Sequence, residues 1–289
     1  MRVIFVHGIN HQRQSSDYVR DEWLHALRQA LDPADFDLVA RQSISVPYYG
    51  DVLWQCTEGL TAAKEELQPQ SAGAASGDEA DFYRSVLTEL ADEKAIPVVE
   101  SSEDAVAQGP FYHNRRTIAL ARAVQALSPL HGRVLLRLLP QAFTYLSRMQ
   151  ATAAVDAIVR PHFQNGPCIV VAHSLGTIVT YKLMRELGQA APLYLTIGSP
   201  LAVRAVQSKI GPPFGRRPAV QRWLNFFDQD DFVTVGKPLD RASFGAGVEN
   251  SDVDNGDDDP HDFRRYLSHD DVARTLVAAL KDAGGSGAA

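Results

Sequence analysis

One eight-residue stretch, IVVAHSLG at positions 169–176, restricts the possible folds of this 289-residue chain more than any other. It opens with an apolar run that is typical of a strand buried on both faces of a parallel sheet. Gly176 begins a stretch with helical spacing, so Ser174 lies at a sharp junction between a strand and a helix. Such a turn strains the serine backbone and requires small neighbours, a condition that Ala172 and Gly176 meet. The pattern therefore predicts a serine whose hydroxyl projects above a sheet.

The rest of the chain alternates between strand and helix patterns. Short apolar runs predict further strands, and apolar residues at helical spacing predict the helices between them. The predicted strands are 3–6, 36–46, 168–172, 193–197 and 223–227, and the predicted helices are 17–31, 151–163, 176–187 and a final helix capped by Ser268. Strands that alternate with helices imply a mostly parallel sheet with helices on both faces, so the predicted fold class is α/β.

The regular alternation stops between residues 51 and 149. We therefore predict a core made of 1–50 and 150–289, with an inserted, mostly helical cap at 51–149. Within this insertion, the stretch 68–77 is poor in bulky apolar residues, which is typical of a mobile loop. The later helices of the insertion are expected to break at Pro129, Gly132 and Pro140.

The stretch from Ala105 to Val155 is unusually basic. It contains six arginines and no lysine, aspartate or glutamate, in a chain whose formal net charge is −7. These arginines are Arg115, Arg116, Arg122, Arg133, Arg137 and Arg148. Such a cluster attracts phosphate or carboxylate groups, so one prediction places it beside the reactive serine, in contact with anionic substrate or lipid. The alternative is that the arginines pair with acidic residues elsewhere in the chain.

Composition argues against several classes of protein. The negative net charge gives no general reason to expect binding to nucleic acid or to an anionic membrane, and no apolar stretch approaches the roughly 20 residues of a membrane-spanning helix. Only two cysteines occur, Cys56 and Cys168, so a disulfide framework is not expected. The N-terminus lacks the pattern of a secretion signal, so we expect a cytoplasmic protein. No Gly-x-Gly-x-x-Gly follows the first strand, which argues against a nucleotide-binding Rossmann fold.

Two motifs together carry a family resemblance. The first strand ends in His-Gly at positions 7–8, and the later strand ends in His-Ser-Leu-Gly at positions 173–176. This pair resembles the α/β-hydrolase superfamily, particularly its lipase and esterase branch, over nearly all of the chain outside the insertion. The sequence departs from the family's Gly-x-Ser-x-Gly in having Ala172 at the first position. The resemblance implies that Ser174 is a nucleophile and that an acid and then a histidine follow it in the chain.

The acid of such a triad is expected just after the strand at 223–227. Acidic residues stand there at positions 228, 230 and 231. In similar hydrolases an Asp-x-Val often supplies the acid, and Asp231-Phe232-Val233 matches that pattern. The predicted acid is therefore Asp231, with Asp228 as the alternative.

Two histidines, His261 and His269, follow the last predicted strand. Ser268 looks like the cap of the final helix, which would put His269 in its first turn, where the helix dipole disfavours a protonated imidazole. Resemblance to lipase-like relatives also favours a loop histidine shortly before a Tyr-Leu pair, here Tyr266-Leu267. The predicted base is therefore His261.

The chemistry of such a site needs an imidazole, a carboxylate and backbone donors around the serine. The imidazole takes the hydroxyl proton during attack, and the carboxylate orients the imidazole. The helix N-terminus makes the Leu175 N–H an expected donor to the oxyanion, and the resemblance adds the N–H of Ile9 as the second. The residues expected to support the site are His7, Gly8, His173 and Gly176.

Two other features have both a functional and a plainer interpretation. Ser199 follows a strand but lacks the elbow context, so we expect a turn residue that lines the site. The acidic run at 252–259 has the alternating carboxylates of a calcium loop but lacks the closing glutamate, so a solvated acidic loop is preferred over a cation site. No metal and no other cofactor is expected.

The function implied by these residues is hydrolysis of a carboxylic ester through an acyl-enzyme. The substrate would be a small-molecule or lipid ester, such as an acylglycerol or a phospholipid. A thioesterase, an amidase or an acyltransferase would use the same residues. A second hypothesis is a catalytically silent binding module, because one scaffold of this kind hosts many functions.

Overall fold

A computed structural model describes residues 1–67, 77–99 and 115–285 of the chain. Its strands are β1 (Arg2–Val6), β2 (Ser43–Ser45), β3 (Cys168–His173), β4 (Ala191–Ile197), β5 (Val220–Phe227) and β6 (Glu249–Asp252). They form one sheet in the order β2-β1-β3-β4-β5-β6, and every neighbouring pair is parallel. The predicted α/β class with a parallel sheet is confirmed.

Helices cover both faces of this sheet. They are α1 (Ser16–Ala30), α2 (Pro33–Ala40), α3 (Gly50–Leu67), α4 (Gly77–Glu93), α5 (Arg115–Leu127), α6 (Pro129–Ser147), α7 (Met149–Val159), α8 (Leu175–Leu187), α9 (Arg204–Ile210), α10 (Phe263–Leu267) and α11 (Asp270–Gly285). Side chains of β1 alternate between two core layers, as the period of a strand requires. Val3 and Phe5 pack with α1, α2 and α11, whereas Ile4 and Val6 pack with α3 to α9.

The strand register brings the loops that matter to one edge of the sheet. Val6 at the end of β1 pairs with Ala172 of β3, and Ile197 at the end of β4 pairs with Phe226 of β5. The carboxyl ends of these strands therefore lie side by side. In open parallel sheets this edge is where ligand crevices form.

The segment between β2 and β3 contains helices α3 to α6, which we call the helical region. Most of its buried apolar side chains belong to the same core layer as Ile4 and Val6. The described part of residues 51–149 is mostly helical, as predicted. Most of the predicted mobile loop, residues 68–76, lies outside the described residues, and Gly77 begins α4.

Helix α6 does not break at two of the three predicted positions. It starts at Pro129, so the predicted boundary there is confirmed. Proline is tolerated at this position because an N–H in the first turn has no partner within the helix. The helix then continues through Gly132 and Pro140, and the predicted breaks at those residues are wrong. A side chain at Gly132 would lie 2.9 Å from the Cα of Gln125, so this glycine permits close packing of α5 and α6. Buried side chains such as Phe143 stabilise the helix beyond Pro140.

The predicted strand at 36–46 is also wrong. Most of this stretch is helix α2, whose N-terminus is capped by Asp32 through a 2.9 Å hydrogen bond from the Asp35 N–H. Phe36 and Val39 are buried with the three-residue spacing of one helix face. Strand β2 is confined to the short run that follows.

Two features near the C-terminus also differ from the sequence analysis. Strand β6 was missed because its sequence, ENSD, carries no apolar signal. Ser268 does not cap the last helix: it ends α10, and its hydroxyl donates to the Arg264 carbonyl at 2.7 Å. Helix α11 begins directly after His269.

The composition led us to expect neither a disulfide framework nor a membrane-spanning helix, and the cysteines and helices can be compared with that expectation. Cys168 is buried in β3, Cys56 is half-buried in α3, and both are free thiols. Among the described helices, none is both long and apolar enough to cross a membrane.

Candidate active site

Ser174 occupies the sharp turn between β3 and α8. Its backbone angles, φ 53° and ψ −128°, lie in a region that is strained for a residue with a side chain. Its N–H donates to the Ile197 carbonyl at 3.2 Å, which holds the turn against β4. A side chain at Gly176 would lie 2.3 Å from the Val6 carbonyl oxygen, so glycine is needed for α8 to approach β1 this closely. The predicted strand–serine–helix junction is present.

A continuous chain of hydrogen bonds leads from Ser174 through His261 to Asp231. The Oγ of Ser174 lies 2.9 Å from His261 Nε2, and His261 Nδ1 lies 2.8 Å from Asp231 Oδ2. All three side chains are buried. The structure thus brings together the residues that the sequence analysis named as nucleophile, base and acid, from the loops after β3, β6 and β5.

Further donors hold the carboxylate of Asp231 in place. Its Oδ1 accepts the Val233 N–H at 2.9 Å, and its Oδ2 accepts the Tyr266 hydroxyl at 2.9 Å. The same hydroxyl accepts the N–H of Asp228 at 3.0 Å. Hydrogen bonds of this kind stabilise the charged form of a buried carboxylate. The sequence analysis used Tyr266 only as a marker for His261, and nothing in the local pattern indicated this contact.

Asp228, the alternative acid, is engaged elsewhere. Its two carboxylate oxygens accept the N–H groups of Asp230 at 2.7 Å and of Asn255 at 2.6 Å. Burial raises the pKa of Asp228 above its usual value, although these two bonds oppose the shift. Within the described part of the chain, its carboxylate makes no hydrogen bond to a histidine. The geometry therefore favours Asp231 as the partner of His261.

Opposing effects set the pKa of His261. Burial lowers it, but the adjacent charge and hydrogen bond of Asp231, with smaller contributions from Asp259 and Asp262, outweigh burial and leave the pKa above that of an ordinary histidine. A carboxylate that favours the imidazolium is the electrostatic environment a general base needs, because the base becomes a cation during attack.

His269, the alternative base, lies immediately before α11 and contacts the loop rather than the serine. Its Nε2 lies 3.0 Å from the Oδ1 of Asn255. The amide group of Asn255 also donates to the Pro260 carbonyl at 2.6 Å, next to His261. Asn255, whose backbone binds Asp228, therefore ties these loops together. The sequence analysis missed this role because the residue stands inside an acidic run.

Two other histidines contact the backbone around the site. The Nε2 of His173 donates to the His261 carbonyl at 2.9 Å, and the Nε2 of His7 accepts the Tyr49 N–H at 3.2 Å. The Nδ1 of His7 donates to the Gly8 carbonyl at 2.7 Å. Burial lowers the pKa of both rings well below the usual value, so they are neutral near pH 7. These are the contacts of supporting residues.

The loop after β1 lies directly against the serine. A side chain at Gly8 would lie 2.8 Å from the Cβ of Ser174. Leu175 is the first residue of α8, so its N–H has no carbonyl within the helix to bind. Ile9 and Leu175 line one narrow cavity together with Ser174. The two predicted oxyanion donors therefore belong to residues that border the nucleophile.

Gly198, directly after β4, lies beside the site at a position that the sequence analysis missed. Its φ is +56°, and a side chain there would lie 3.2 Å from both Asp231 Oδ2 and His261 Nδ1. A side chain at this position would crowd the two atoms that form the hydrogen bond between Asp231 and His261. The available signal was a glycine directly after a predicted strand.

Two cavities meet at Ser174. The larger has a volume of about 330 Å³, and its lining includes many polar and charged side chains. Those are Asn10, His11, Gln14, Glu22, Arg137, Asp259, His261, Asp262 and Arg264, with His173. The smaller cavity, of about 40 Å³, is lined by apolar side chains apart from Ser174 itself.

Ser199 borders neither of these cavities. Its hydroxyl lies 2.8 Å from that of Thr177 and accepts the Leu201 N–H at 3.4 Å. The predicted turn is present, but the prediction that Ser199 lines the site is wrong. Its side chain is buried.

Two arginines of the basic stretch lie in different surroundings. Arg137 is exposed on α6 and lines the larger cavity together with Ser174. Arg148 lies 4.0 Å from a carboxylate oxygen of Glu79. Residues 105–114 and the side chains of Arg115 and Arg133 are outside what the structure describes.

Carboxylates of the acidic run at 252–259 contact nearby protein groups. Asp254 accepts the Gly256 N–H at 2.8 Å, and Asp258 lies 3.3 Å from a guanidinium nitrogen of Arg265. Within the described ranges, no group of three or more His, Cys, Asp or Glu side chains is arranged to hold a metal ion.

Comparisons with protein-family models, curated proteins and solved structures each found no match for the chain. A functional interpretation therefore depends on the geometry of the site. That geometry consists of a strained serine, a buried imidazole and carboxylate in hydrogen-bond contact with it, and two cavities that open beside the serine hydroxyl.

Proposed function

We propose that the chain is a serine hydrolase of the α/β-hydrolase type that cleaves carboxylic esters through an acyl-enzyme. Ser174 is the nucleophile, His261 the general base and Asp231 the acid. The observation that carries this proposal is the hydrogen-bond chain of 2.9 Å and 2.8 Å that joins the three side chains. Their order in the sequence, nucleophile then acid then histidine, is that of α/β-hydrolases.

In the first half-reaction the Oγ of Ser174 attacks the ester carbonyl carbon while His261 Nε2 takes the hydroxyl proton. The carbonyl oxygen becomes an oxyanion, which the N–H groups of Ile9 and Leu175 stabilise. The carbon–oxygen bond of the ester then breaks, and the alcohol leaves with the proton from His261. Asp231 stabilises the imidazolium throughout.

In the second half-reaction water replaces the alcohol. His261 removes a proton from the water, whose oxygen attacks the acyl carbon, and the proton returns to Ser174 as the carboxylic acid leaves. The site returns to its starting protonation state. Each bond that forms and breaks is balanced without any additional cofactor.

Other acyl-transfer reactions would use the same residues. A thioesterase or an amidase differs in the leaving group, and an acyltransferase differs in the acceptor. A panel of butyryl compounds that differ only in an oxygen, sulfur or nitrogen leaving atom would separate an ester hydrolase from a thioesterase and an amidase. We expect the highest kcat/KM for the oxygen ester.

Labelling with a fluorophosphonate probe tests the nucleophile against a catalytically silent binding module. We expect one covalent adduct on the native chain and none on Ser174→Ala, with both proteins folded by circular dichroism. Ser199→Ala is the matched control, because this buried serine borders neither cavity and its loss should leave labelling intact. A folded native chain that takes no label, or a labelled Ser174→Ala, would contradict the proposal.

A further inference from the structure

The two cavities beside Ser174 differ in whether His261, the proposed base, lines them. His261 lines the larger cavity and is absent from the lining of the narrow one. Ile9, Leu138 and Ser174 border both, so the serine hydroxyl lies where the cavities diverge. A substrate bound at the serine therefore extends one part toward His261 and the other part away from it.

The proton transfers assign each part to a cavity. His261 Nε2 receives the proton of Ser174 Oγ as the new oxygen–carbon bond forms, and it must give that proton to the alcohol oxygen as the old bond breaks. The alcohol oxygen must then face His261. This requirement places the alcohol in the larger cavity and leaves the narrow cavity for the acyl chain.

We propose that the substrate is an ester of a short apolar acid with a polar alcohol, the acyl chain occupying the narrow cavity and the alcohol the larger one. This inference rests on the proposed function, since it uses the direction of proton transfer in that reaction. It goes beyond that function by naming both halves of the substrate.

The lining of the narrow cavity supports an apolar acyl chain. Helices α4 and α6 of the helical region contribute one side, and α8, α9 and neighbouring loops contribute the other. Lining side chains include Phe82, Val86, Leu135, Leu139, Val206 and Val233. Burying a polar chain among them would leave its polar atoms without partners.

The volume of the narrow cavity limits the chain length. A buried water needs roughly 10–15 Å³, so a cavity of about 40 Å³ has room for only a few non-hydrogen atoms. An acyl chain of about four carbons fills that space. A longer chain would extend beyond the cavity.

The larger cavity is suited to an alcohol with several hydrogen-bonding groups. Arg264 pairs with Asp262 at 2.8 Å and with Glu22 at 3.6 Å. The lining therefore contains a guanidinium donor and carboxylate acceptors. Arg137 of α6 also lines this cavity, is exposed, and has no ion pair among the described residues. Hydroxyl groups of a polyol would find both donors and acceptors in this lining.

Two isomeric esters test the assignment directly. Glyceryl monobutyrate has a short apolar acid and a polar alcohol, whereas butyl glycerate carries the same groups exchanged across the ester bond. We expect kcat/KM to be at least about tenfold higher for glyceryl monobutyrate, because buried polar groups without partners are strongly selected against. Equal rates, or a preference for butyl glycerate, would overturn the assignment.

A chain-length series with a filled cavity provides a second measurement. Among glyceryl monoesters we expect kcat/KM to peak at about four carbons and to fall at least about tenfold by ten carbons. Ala142→Phe on α6 fills the narrow cavity and should move the peak toward acetate. Ala154→Phe on α7, a half-buried alanine that lines neither cavity, should leave the profile unchanged. An unchanged profile in folded Ala142→Phe would overturn the acyl site.

Fluorophosphonate labelling separates failure of this inference from failure of the proposed function. If Ser174 is labelled but the ester preference is reversed, the reaction stands and the cavity assignment is wrong. If the folded chain takes no label and cleaves none of the esters, the proposed function is wrong and the inference falls with it.

Discussion

The carboxyl edge of the sheet and the helical region surround the same serine but contribute different kinds of contact. The edge supplies polar side chains whose positions are fixed by short hydrogen bonds, such as those of Ser174, His261 and Asp231. The helical region supplies mainly apolar side chains, such as Phe82 and Leu135, that bound the narrow cavity. A changed hydrogen bond at the edge should therefore alter the rate of reaction, whereas a changed side chain in the helical region should alter the choice of substrate.

The largest effect is expected at the base. Replacing His261 by alanine should lower kcat/KM by a factor of about 10⁴ to 10⁶, because the serine proton then has no acceptor. His269→Ala is the control at the same edge, and its loss of a contact to Asn255 should cost no more than about tenfold. Steady-state hydrolysis of one ester by both purified variants measures this. A greater loss of activity in His269→Ala than in His261→Ala would show that His261 is not the base.

The next effect separates the two acids. Asp231→Asn should lower kcat by about 10⁴, since the amide no longer stabilises the imidazolium or selects its tautomer. Asp228→Asn removes charge from a carboxylate that accepts only backbone N–H groups, so we expect a loss of about tenfold or less. If the two variants lose activity equally, the triad cannot be assigned from its hydrogen bonds.

The pH dependence tests the electrostatics of the edge. Only neutral His261 accepts a proton, so kcat/KM should fall as the pH drops through its pKa, by about tenfold per pH unit below it. Because Asp231 raises that pKa, the midpoint should lie above the 6.5 of an ordinary histidine. Asp231→Asn removes the main opposing effect and leaves burial, so the midpoint should move down. If the midpoint is the same in Asp231→Asn, Asp231 is not what raises the pKa of His261.

The smallest effect is expected where the helical region meets the catalytic loops. His131 on α6 contacts the Asp257 carbonyl through Nε2 at 2.7 Å, and its ring packs edge-on against Phe232 at 5.3 Å. His131→Phe keeps the ring and loses one hydrogen bond, worth about 1 kcal/mol, so we expect about a fivefold loss of kcat/KM. His25→Phe, at an exposed position of α1, should have no effect. A loss of kcat/KM above about a hundredfold in His131→Phe would contradict the view that the helical region affects the choice of substrate rather than the rate.

The sequence predicted those parts of the molecule that a local pattern determines. The elbow at Ser174 is one such part, because an apolar strand, small flanking residues and a following helix all stand within a few positions. Asp231 and His261 could be ranked only by motif and by resemblance. The reason given against His269 included a helix cap at Ser268 that the structure does not have.

Features that depend on distant contacts could not be predicted in this way. Tyr266 binds a carboxylate 35 positions away, and the role of Gly198 exists only because acid and base come to lie beside it. The error at α2 has a different cause: Phe36 and Val39 fit a short apolar run as well as a helix face, and only packing distinguishes the two.

The wide separation of the triad in the chain has a consequence for its synthesis. Ser174 and His261 are 87 positions apart, and His261 and Asp231 are 30 apart. Under the proposed mechanism, a nascent chain that has formed β3 and α8 carries Ser174 but lacks the histidine that would activate it. Under the proposed mechanism, the hydroxyl gains its base only after β6 and the loop that follows it have left the ribosome and joined the sheet. Reaction of Ser174 with a fluorophosphonate would then mark the molecules in which this last loop has folded.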